Sequence, residues 1–508
     1  MNQMDSTIRI LGTLTPENIL LVSAILIFAA ILVSRVGYRF GVPTLLLFLV
    51  VGMVFGSDGL GLQFNNHGAA QFVGVVAMTI ILFTGGMQTD FRSIRPILAQ
   101  GIVLSTLGVA LTVVFTGFFI YLMTHAAHFP LHISIAMCFL MAAVMSSTDS
   151  ASVFSILREN NMRLKENLQP VLELESGSND PMAYVTTVVM IQAAMTLFDP
   201  AAAETGIDYY SMIWDAVKTF FMQIGLGAVL GASIGMATSV FLPKLLLRST
   251  ALYSILLLSI AFFAISVTNM LGGNGYLAVY IAGIIIGNRP LVCKKDIFRF
   301  MDGMTWIMQI SMFLCLGLLV NPSEMLEIAP VALLIGIFMM IAARPAAVFL
   351  CLLPFRGISL RAKTFISWIG LKGAAPILFA TYPIVSGIPG SGYIFNIVFF
   401  ITLVSLVIQG MSIPWAARIL KLDLPEEKTP ETFGVEMPDE AGILSEYTIG
   451  KGDLSDGDTL KEISLPDGAR VVIIKRGDKF IVPDGSVRLK MGDRLVTIIA
   501  DTGDLRKE

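Results

Sequence analysis

Six charged side chains of this 508-residue chain stand inside long apolar stretches: Asp149, Glu173, Glu175, Asp180, Arg344 and Lys372. A full charge at the centre of a bilayer costs several kcal/mol or more, so such residues are paired or functional. Glu175 and Asp180 share the string Glu175-Ser176-Gly177-Ser178-Asn179-Asp180-Pro181. They are five residues apart, about 140° around a helix, and need not serve the same partner. Glu175 is expected to pair with Arg344. Pro181 removes a backbone donor, and a weakened helix beside an acid frees carbonyls that could hold a dehydrated cation. A buried salt bridge with a proline kink is the plainer reading of the same string.

Two further strings interrupt apolar runs. Ser146-Ser147-Thr148-Asp149-Ser150 makes a poor helix, because its side chains compete for the backbone. Asp149 could there cap a half-helix. Gly370-Leu371-Lys372-Gly373-Ala374-Ala375-Pro376 breaks a second run with Gly and Pro and carries a base. Two interrupted spans in matching positions of two halves point to inverted repeats, with an ion site where the broken helices cross.

The surrounding elements are apolar helices. Hydrophobic residues make up 55% of the chain and charged residues 14%, against about 25% charged in an average soluble domain. Mean hydropathy is +0.78. This composition excludes a soluble enzyme as the main body, and a net charge of −3 gives no footprint for nucleic acid. The four cysteines are scattered, so neither a disulfide framework nor a metal site is expected. Thirteen spans are expected, near 18–34, 43–56, 69–87, 98–123, 132–156, 168–197, 212–241, 250–271, 275–287, 303–320, 328–353, 364–383 and 391–417. The connections after odd-numbered spans hold 16 Lys and Arg, and those after even-numbered spans hold none. Positive charge stays cytoplasmic, so the N-terminus is expected outside and the C-terminus in the cytoplasm of a bacterial inner membrane protein.

The motif strings resemble those of the monovalent cation/proton antiporters of the NhaP type: Thr148-Asp149, Glu175-Ser176-x-x-Asn179-Asp180 and Gly370-Leu371-Lys372-Gly373-Ala374, in that order. The resemblance spans about 19 to 417. It implies an all-α polytopic fold with two broken crossing helices. It implies that Asp180 alternately binds cation and proton, that Thr148 and Ser176 help coordinate the cation, and that Asn179 supports the site. Asp149 is counted with them as ion-binding. Glu175 and Arg344 form the implied structural ion pair, and Lys372 is the charge of the second break. The chain departs from the family's usual pattern at Ser150, at Gly177-Ser178 and at Lys372, which leaves the ion open.

Residues 418–508 hold 14 of the 34 Lys and Arg and 19 of the 37 Asp and Glu. The expected organisation is an exchanger domain over 1–420, an acidic, Pro-bearing linker over 421–440, and a small β-rich (α+β) cytoplasmic domain over 441–508. Strands are expected at Ala469 to Lys475, Lys479 to Val482 and Arg494 to Ile499, with turns at Pro466-Asp467-Gly468 and Pro483-Asp484-Gly485. This tail resembles the C-terminal subdomain of potassium-conductance regulatory modules.

Together these readings predict a secondary antiporter, not an enzyme, that exchanges potassium for protons with no cofactor beyond the transported ions. The transported cation and proton, membrane lipid, a second copy in a homodimer and a small cytoplasmic ligand at the tail are the expected partners. Sodium/proton exchange on the same fold is the alternative, with a gated cation channel and a ligand-sensing receptor behind it. His125, His128 and His132 read as a solvated loop, and Met339 and Met340 as lipid-facing filler. Gly227, Gly231 and Gly235 recur every fourth residue, as helix packing or as a dimer contact.

Overall fold

In the computed structural model the chain divides into two units, Met1–Glu426 and Glu427–Glu508. The structure describes residues 18–38, 42–125, 133–160, 162–198, 208–355, 357–425, 444–450, 458–463, 469–476 and 479–499. The first unit runs α1 (Ile19–Tyr38), α2 (Thr44–Phe55), α3 (His67–Gln88), α4 (Phe91–Thr124), α5 (Ile135–Val144), α6 (Ser150–Glu159), β1 (Met162–Leu164), α7 (Leu168–Phe198) and α8 (Tyr209–Lys244). It continues with α9 (Thr250–Met270), α10 (Gly275–Gly287), α11 (Lys294–Leu318), α12 (Pro322–Leu352), α13 (Leu360–Trp368), α14 (Ala374–Val385), α15 (Ser391–Ile419) and β2 (Asp423–Pro425). Among the described residues, eight helices are long and apolar enough to cross a membrane: α3, α4, α7, α8, α9, α11, α12 and α15. Five more, α1, α2, α5, α10 and α14, are apolar but shorter.

Local chemistry sets several helix starts. Asn66 accepts from Ala69 N at 2.9 Å at the head of α3, and Ser359 accepts from Ala362 N at 3.1 Å at the head of α13. Asn274 caps α10 by accepting from Leu277 N at 3.1 Å, while its Nδ2 donates to Pro181 O of α7 at 2.7 Å and its backbone N to Gln223 O of α8 at 2.9 Å. One buried residue thus ties three helices together.

The glycine stripe of α8 is spent inside the chain. A Cβ at Gly231 would lie 2.5 Å from Ala278 O, and one at Gly227 would lie 2.8 Å from Asn274 O, so α8 and α10 approach backbone to backbone. Met339 and Met340 are 2% and 6% exposed, in a wide turn of α12 over Met339–Ala343. They are core residues, and the expectation that they face lipid is corrected: the wide turn rotates them into the helix packing. Wide turns also interrupt α4 at Leu104–Gly108 and α15 at Leu406–Gly410. His125 ends α4 with its Nδ1 3.0 Å from Tyr121 O, and His128 and His132 lie outside the described residues.

The start of the expected linker is not loose chain. Asp423–Pro425 pairs antiparallel with Met162–Leu164, with Arg163 opposite Leu424. Lys165 N donates to Leu422 O at 2.9 Å and Lys165 Nζ to Lys421 O at 3.1 Å. An acidic, Pro-bearing stretch reads as a linker, but its first residues find backbone partners on the connection that precedes α7.

The second unit is an antiparallel sheet of β3 (Leu444–Thr448), β4 (Ala469–Arg476), β5 (Lys479–Ile481) and β6 (Arg494–Ile499) in the order β3-β6-β4-β5. Ile449, Ile463, Ile474, Leu489 and Leu495 form its core. Burial alone would raise the pKa of Asp493. Arg476 Nε and Nη2, at 2.9 and 2.6 Å, and Lys490 N, at 2.8 Å, outweigh that and hold it below the usual carboxylate range.

Arg344 Nη2 donates to Glu175 Oε1, joining α12 to α7, with both side chains out of water. Removing one member strands the other, at about 3–5 kcal/mol. Glu175→Gln and Arg344→Ala are each expected to lower the thermal midpoint of the purified protein clearly, measured in the same detergent. Melting like the parent in both variants would show that the pair is not a stabilising contact.

Candidate ion-binding site

The site begins where α5 stops. From Met145 to Asp149 the chain leaves the helix, and Ser146 Oγ donates back to Ala143 O at 2.6 Å. Asp149 restarts it: its Oδ1 accepts from Ser152 N at 3.0 Å and its Oδ2 from Ser152 Oγ, which caps α6. A second interruption lies between α13 and α14, over Ile369 to Gly373.

The two interruptions touch. Asp149 N donates to Leu371 O at 2.8 Å, and Lys372 Nζ donates to Ser147 O at 2.8 Å. Gly373 faces Asp149 so closely that a Cβ there would lie 2.7 Å from the Asp149 Cβ, which leaves no room for any other residue. Unwound backbone supplies the donors and acceptors that the bilayer interior cannot.

Helix α7 lies against this crossing. Ser147 Oγ donates to Asp180 Oδ1, Ser176 Oγ donates to Thr148 O at 2.9 Å, and Ser150 N donates to Ser176 Oγ at 3.0 Å. Asn179 Nδ2 donates to Thr148 Oγ1, while the buried Asn179 Oδ1 has no protein partner. Thr148, Asp149, Ser176, Asn179, Asp180 and Lys372 therefore meet in one place. Glu175 turns away from them to Arg344, whose stem packs 3.2 Å from where a Gly370 Cβ would be.

A cavity of about 570 Å³ reaches this place and is lined by Asp149, Ser176, Gly177 and Asp180, and further along by Glu173, Gln169, Arg158 and Met162 to Leu164. Gln169 Nε2 donates to Glu173 Oε1 at 3.0 Å. Gly177 matters here because a Cβ would press on the Tyr280 ring, 2.5 Å from its Oη. Asp180 and Asp149 offer carboxylate oxygens, Ser176 a hydroxyl and Asn179 a carbonyl, a donor set of hard oxygens suited to a monovalent cation or a proton.

Several residues of this arrangement were not singled out from sequence. In the sequence Ser147 stands out only as part of a poor helix, yet it is the direct partner of both Asp180 and Lys372. One turn past Asp180, Tyr184 packs edge-on against Tyr276 at 5.0 Å and Tyr382 at 5.5 Å, and the Tyr276 and Tyr382 hydroxyls are 3.1 Å apart. The signal available was the four-residue spacing from Asp180 to Tyr184, which puts both on one helix face. Ser405 and Gln409 of α15, beside Lys372, carried no sequence signal beyond being polar in an apolar helix.

The sodium/hydrogen exchanger transmembrane family model matches residues 22–419, and the TrkA-C domain model matches residues 444–507. The K(+)/H(+) antiporter NhaP2 of Shewanella baltica (strain OS223) is 39% identical over 481 residues, covering 94% of this chain and 80% of that protein. The K(+)/H(+) antiporter NhaP of Alkalimonas amylolytica is 36% identical over 496 residues, covering 96% and 82%. The structure of the sodium proton antiporter MjNhaP1 from Methanocaldococcus jannaschii at pH 8 matches with a TM-score of 0.63 at 20% identity, over 77% of this chain and 99% of that one, which gives the fold. The chain belongs to the sodium/hydrogen exchanger family, alongside the NhaP2 antiporters.

Proposed function

We propose that the protein is a secondary antiporter that exchanges potassium for protons at Asp180, one for one. The observation that carries this reading is the part-buried Asp180 carboxylate, which lines a cavity where two interrupted helices cross. Potassium is preferred over sodium because the relatives at 39% and 36% identity, each matched over most of both chains, are named for it. The Na(+)/H(+) antiporter NhaG of Bacillus atrophaeus is 29% identical over only 59% of this chain.

The cycle follows from charge. Asp180 as an empty anion is costly to carry through a dry barrier, so the moving part crosses only with a proton or a cation bound. Asn179 precedes it without charge, and both Asp149 oxygens are engaged in capping α6 through Ser152, so one carboxylate titrates per cycle. Asp149, Thr148, Ser176 and Asn179 surround the cation, Glu175 and Arg344 brace the helices, and Lys372 balances the second break. The eight long and five shorter apolar helices support a count of thirteen spans, with α5–α6 as the fifth and α13–α14 as the twelfth. These are the fifth of the first six spans and of the last six, which favours inverted repeats. The basic connections favour an outer N-terminus and a cytoplasmic tail in a bacterial inner membrane. The working unit is a homodimer in lipid, and the dimer contact lies off the α8 glycine stripe, which α10 already fills.

We assign the exchanger to 1–420, the linker to 421–440 and a regulatory domain to 441–508, with a small cytoplasmic ligand as its effector. A route to the exchanger exists in the strand pair: β2, from which the chain runs on to the tail, pairs with β1, and β1 lines the cavity that reaches Asp180.

Asp180→Asn is expected to insert and fold normally but to abolish exchange of every cation, read by a pH dye in vesicles. More than a small residual response would remove Asp180 from this role. Parent exchange is expected to ignore a membrane potential imposed by a permeant lipophilic ion, and a rate that scales with voltage would reject one-for-one exchange. Deleting the tail from Glu431 onward is expected to leave an active exchanger with a displaced dependence on internal pH. Superimposable pH curves would reduce the tail to a passive appendage, and complete loss of activity in well-inserted protein would make it part of the core machine.

A further inference from the structure

In an unbroken helix the amide of Lys372 would donate to the carbonyl of Trp368, four residues back. That turn is open here, because α13 ends at Trp368 and α14 begins at Ala374. Two side chains of α15 fill the opening. Lys372 N donates to Ser405 Oγ at 3.0 Å, Ser405 Oγ donates to Gln409 Oε1 at 2.5 Å, and Gln409 Nε2 donates to Trp368 O at 2.8 Å. The missing helical bond is replaced by a splice of three bonds.

The two residue types fit the task. A hydroxyl accepts and donates at one atom, and a carboxamide accepts at oxygen and donates at nitrogen, so the relay closes with the bonding direction fixed throughout. Ser405, Gln409 and Lys372 are 0%, 1% and 3% exposed, so water does not compete. Gln409 sits in the wide turn Leu406–Gly410, and Ser412 Oγ donates to its carbonyl at 3.0 Å while accepting Trp368 Nε1 at 2.9 Å. Without the splice, the Lys372 amide and the Trp368 carbonyl would be left unmet, or the turn would close into helix. Closure would withdraw Leu371 O from Asp149 N and Lys372 Nζ from Ser147 O, and Ser147 is the residue that donates to Asp180.

We propose that Ser405 and Gln409 are positioning residues for exchange, which hold the turn from Trp368 to Lys372 open and thereby set the Ser147 and Asp149 partners of the ion site. The inference rests on the exchange reading of Asp180. It is tested on the full chain in vesicles with Ser405→Ala, Gln409→Leu, Gln409→Asn and Ser405→Thr, with rates normalised to folded protein and thermal midpoints measured in parallel. Loss of one bond of the splice is expected to raise the half-saturating cation concentration roughly fivefold and to displace the pH profile. Ser405→Thr, which keeps the hydroxyl, is expected to behave like the parent. Ser405→Ala and Gln409→Leu with lowered melting but parental half-saturation and pH profile would overturn the proposal. If those two do not insert, Gln409→Asn decides on the same readouts, because it keeps the carboxamide but is one methylene too short to reach Trp368 O. Asp180→Asn runs beside them: activity there would undo the exchange reading itself, whereas parental splice variants with an inactive Asp180→Asn would undo only the positioning role.

Discussion

A charge removed from water has to be met by partners, and in the first unit that requirement governs where helices stop. Apolar helices cannot satisfy Asp180 or Lys372 with their own backbone, because each amide and carbonyl in a helix interior is already used. Opening α5–α6 and α13–α14 releases amides and carbonyls at the depth where they are needed. Ser147 O then receives Lys372 Nζ, and Leu371 O receives Asp149 N. Each break supplies a partner to the other, so neither is stable in this form alone. The close approach this demands leaves glycine as the fitting residue at 373, against Asp149.

The breaks also have to be kept from closing. On the α5–α6 side, Asp149 caps the restarted helix and Ser176 bridges Thr148 O and Ser150 N. On the α13–α14 side, Ser405 and Gln409 supply the bridging atoms. In both cases a side chain from a neighbouring helix stands in for lost backbone bonding. The support comes from α7 on one side and α15 on the other, so motion of either helix would be felt at the crossing.

The motif strings were legible because they violate their surroundings. Glu175, Asp180 and Lys372 are expensive where they stand, and Ser146 to Ser150 is a poor helix in an apolar run. The lengths of the short spans were legible too: 275–287 was read from composition and α10 occupies Gly275–Gly287. What escaped has no cost signature. A serine or a glutamine in a membrane helix is ordinary, and the link from Ser405 to Lys372 spans 33 residues of sequence. β1 and β2 have three residues each, too few to show a period, and lie far apart in the unit's sequence. β3, Leu-Ser-Glu-Tyr-Thr, alternates without an apolar face strong enough to stand out. Met339 and Met340 misled because an apolar side chain in a membrane helix looks alike whether it meets lipid or protein, and only the wide turn of α12 decides.

Helix α7 shows how two acids on one helix can hold different duties. At five residues apart they lie about 140° from each other, and the structure sends Glu175 to a guanidinium on α12 and Asp180 to a hydroxyl on the broken segment. The Glu175 carboxylate is matched by a charged partner on a neighbouring helix. The Asp180 carboxylate is met by a neutral hydroxyl, with Lys372 Nζ held on the carbonyl of the same Ser147. Asn179 between them adds an unpartnered carbonyl oxygen without adding charge. The two acids are therefore met differently within two turns of one helix: Glu175 by a charged partner, Asp180 by a neutral hydroxyl.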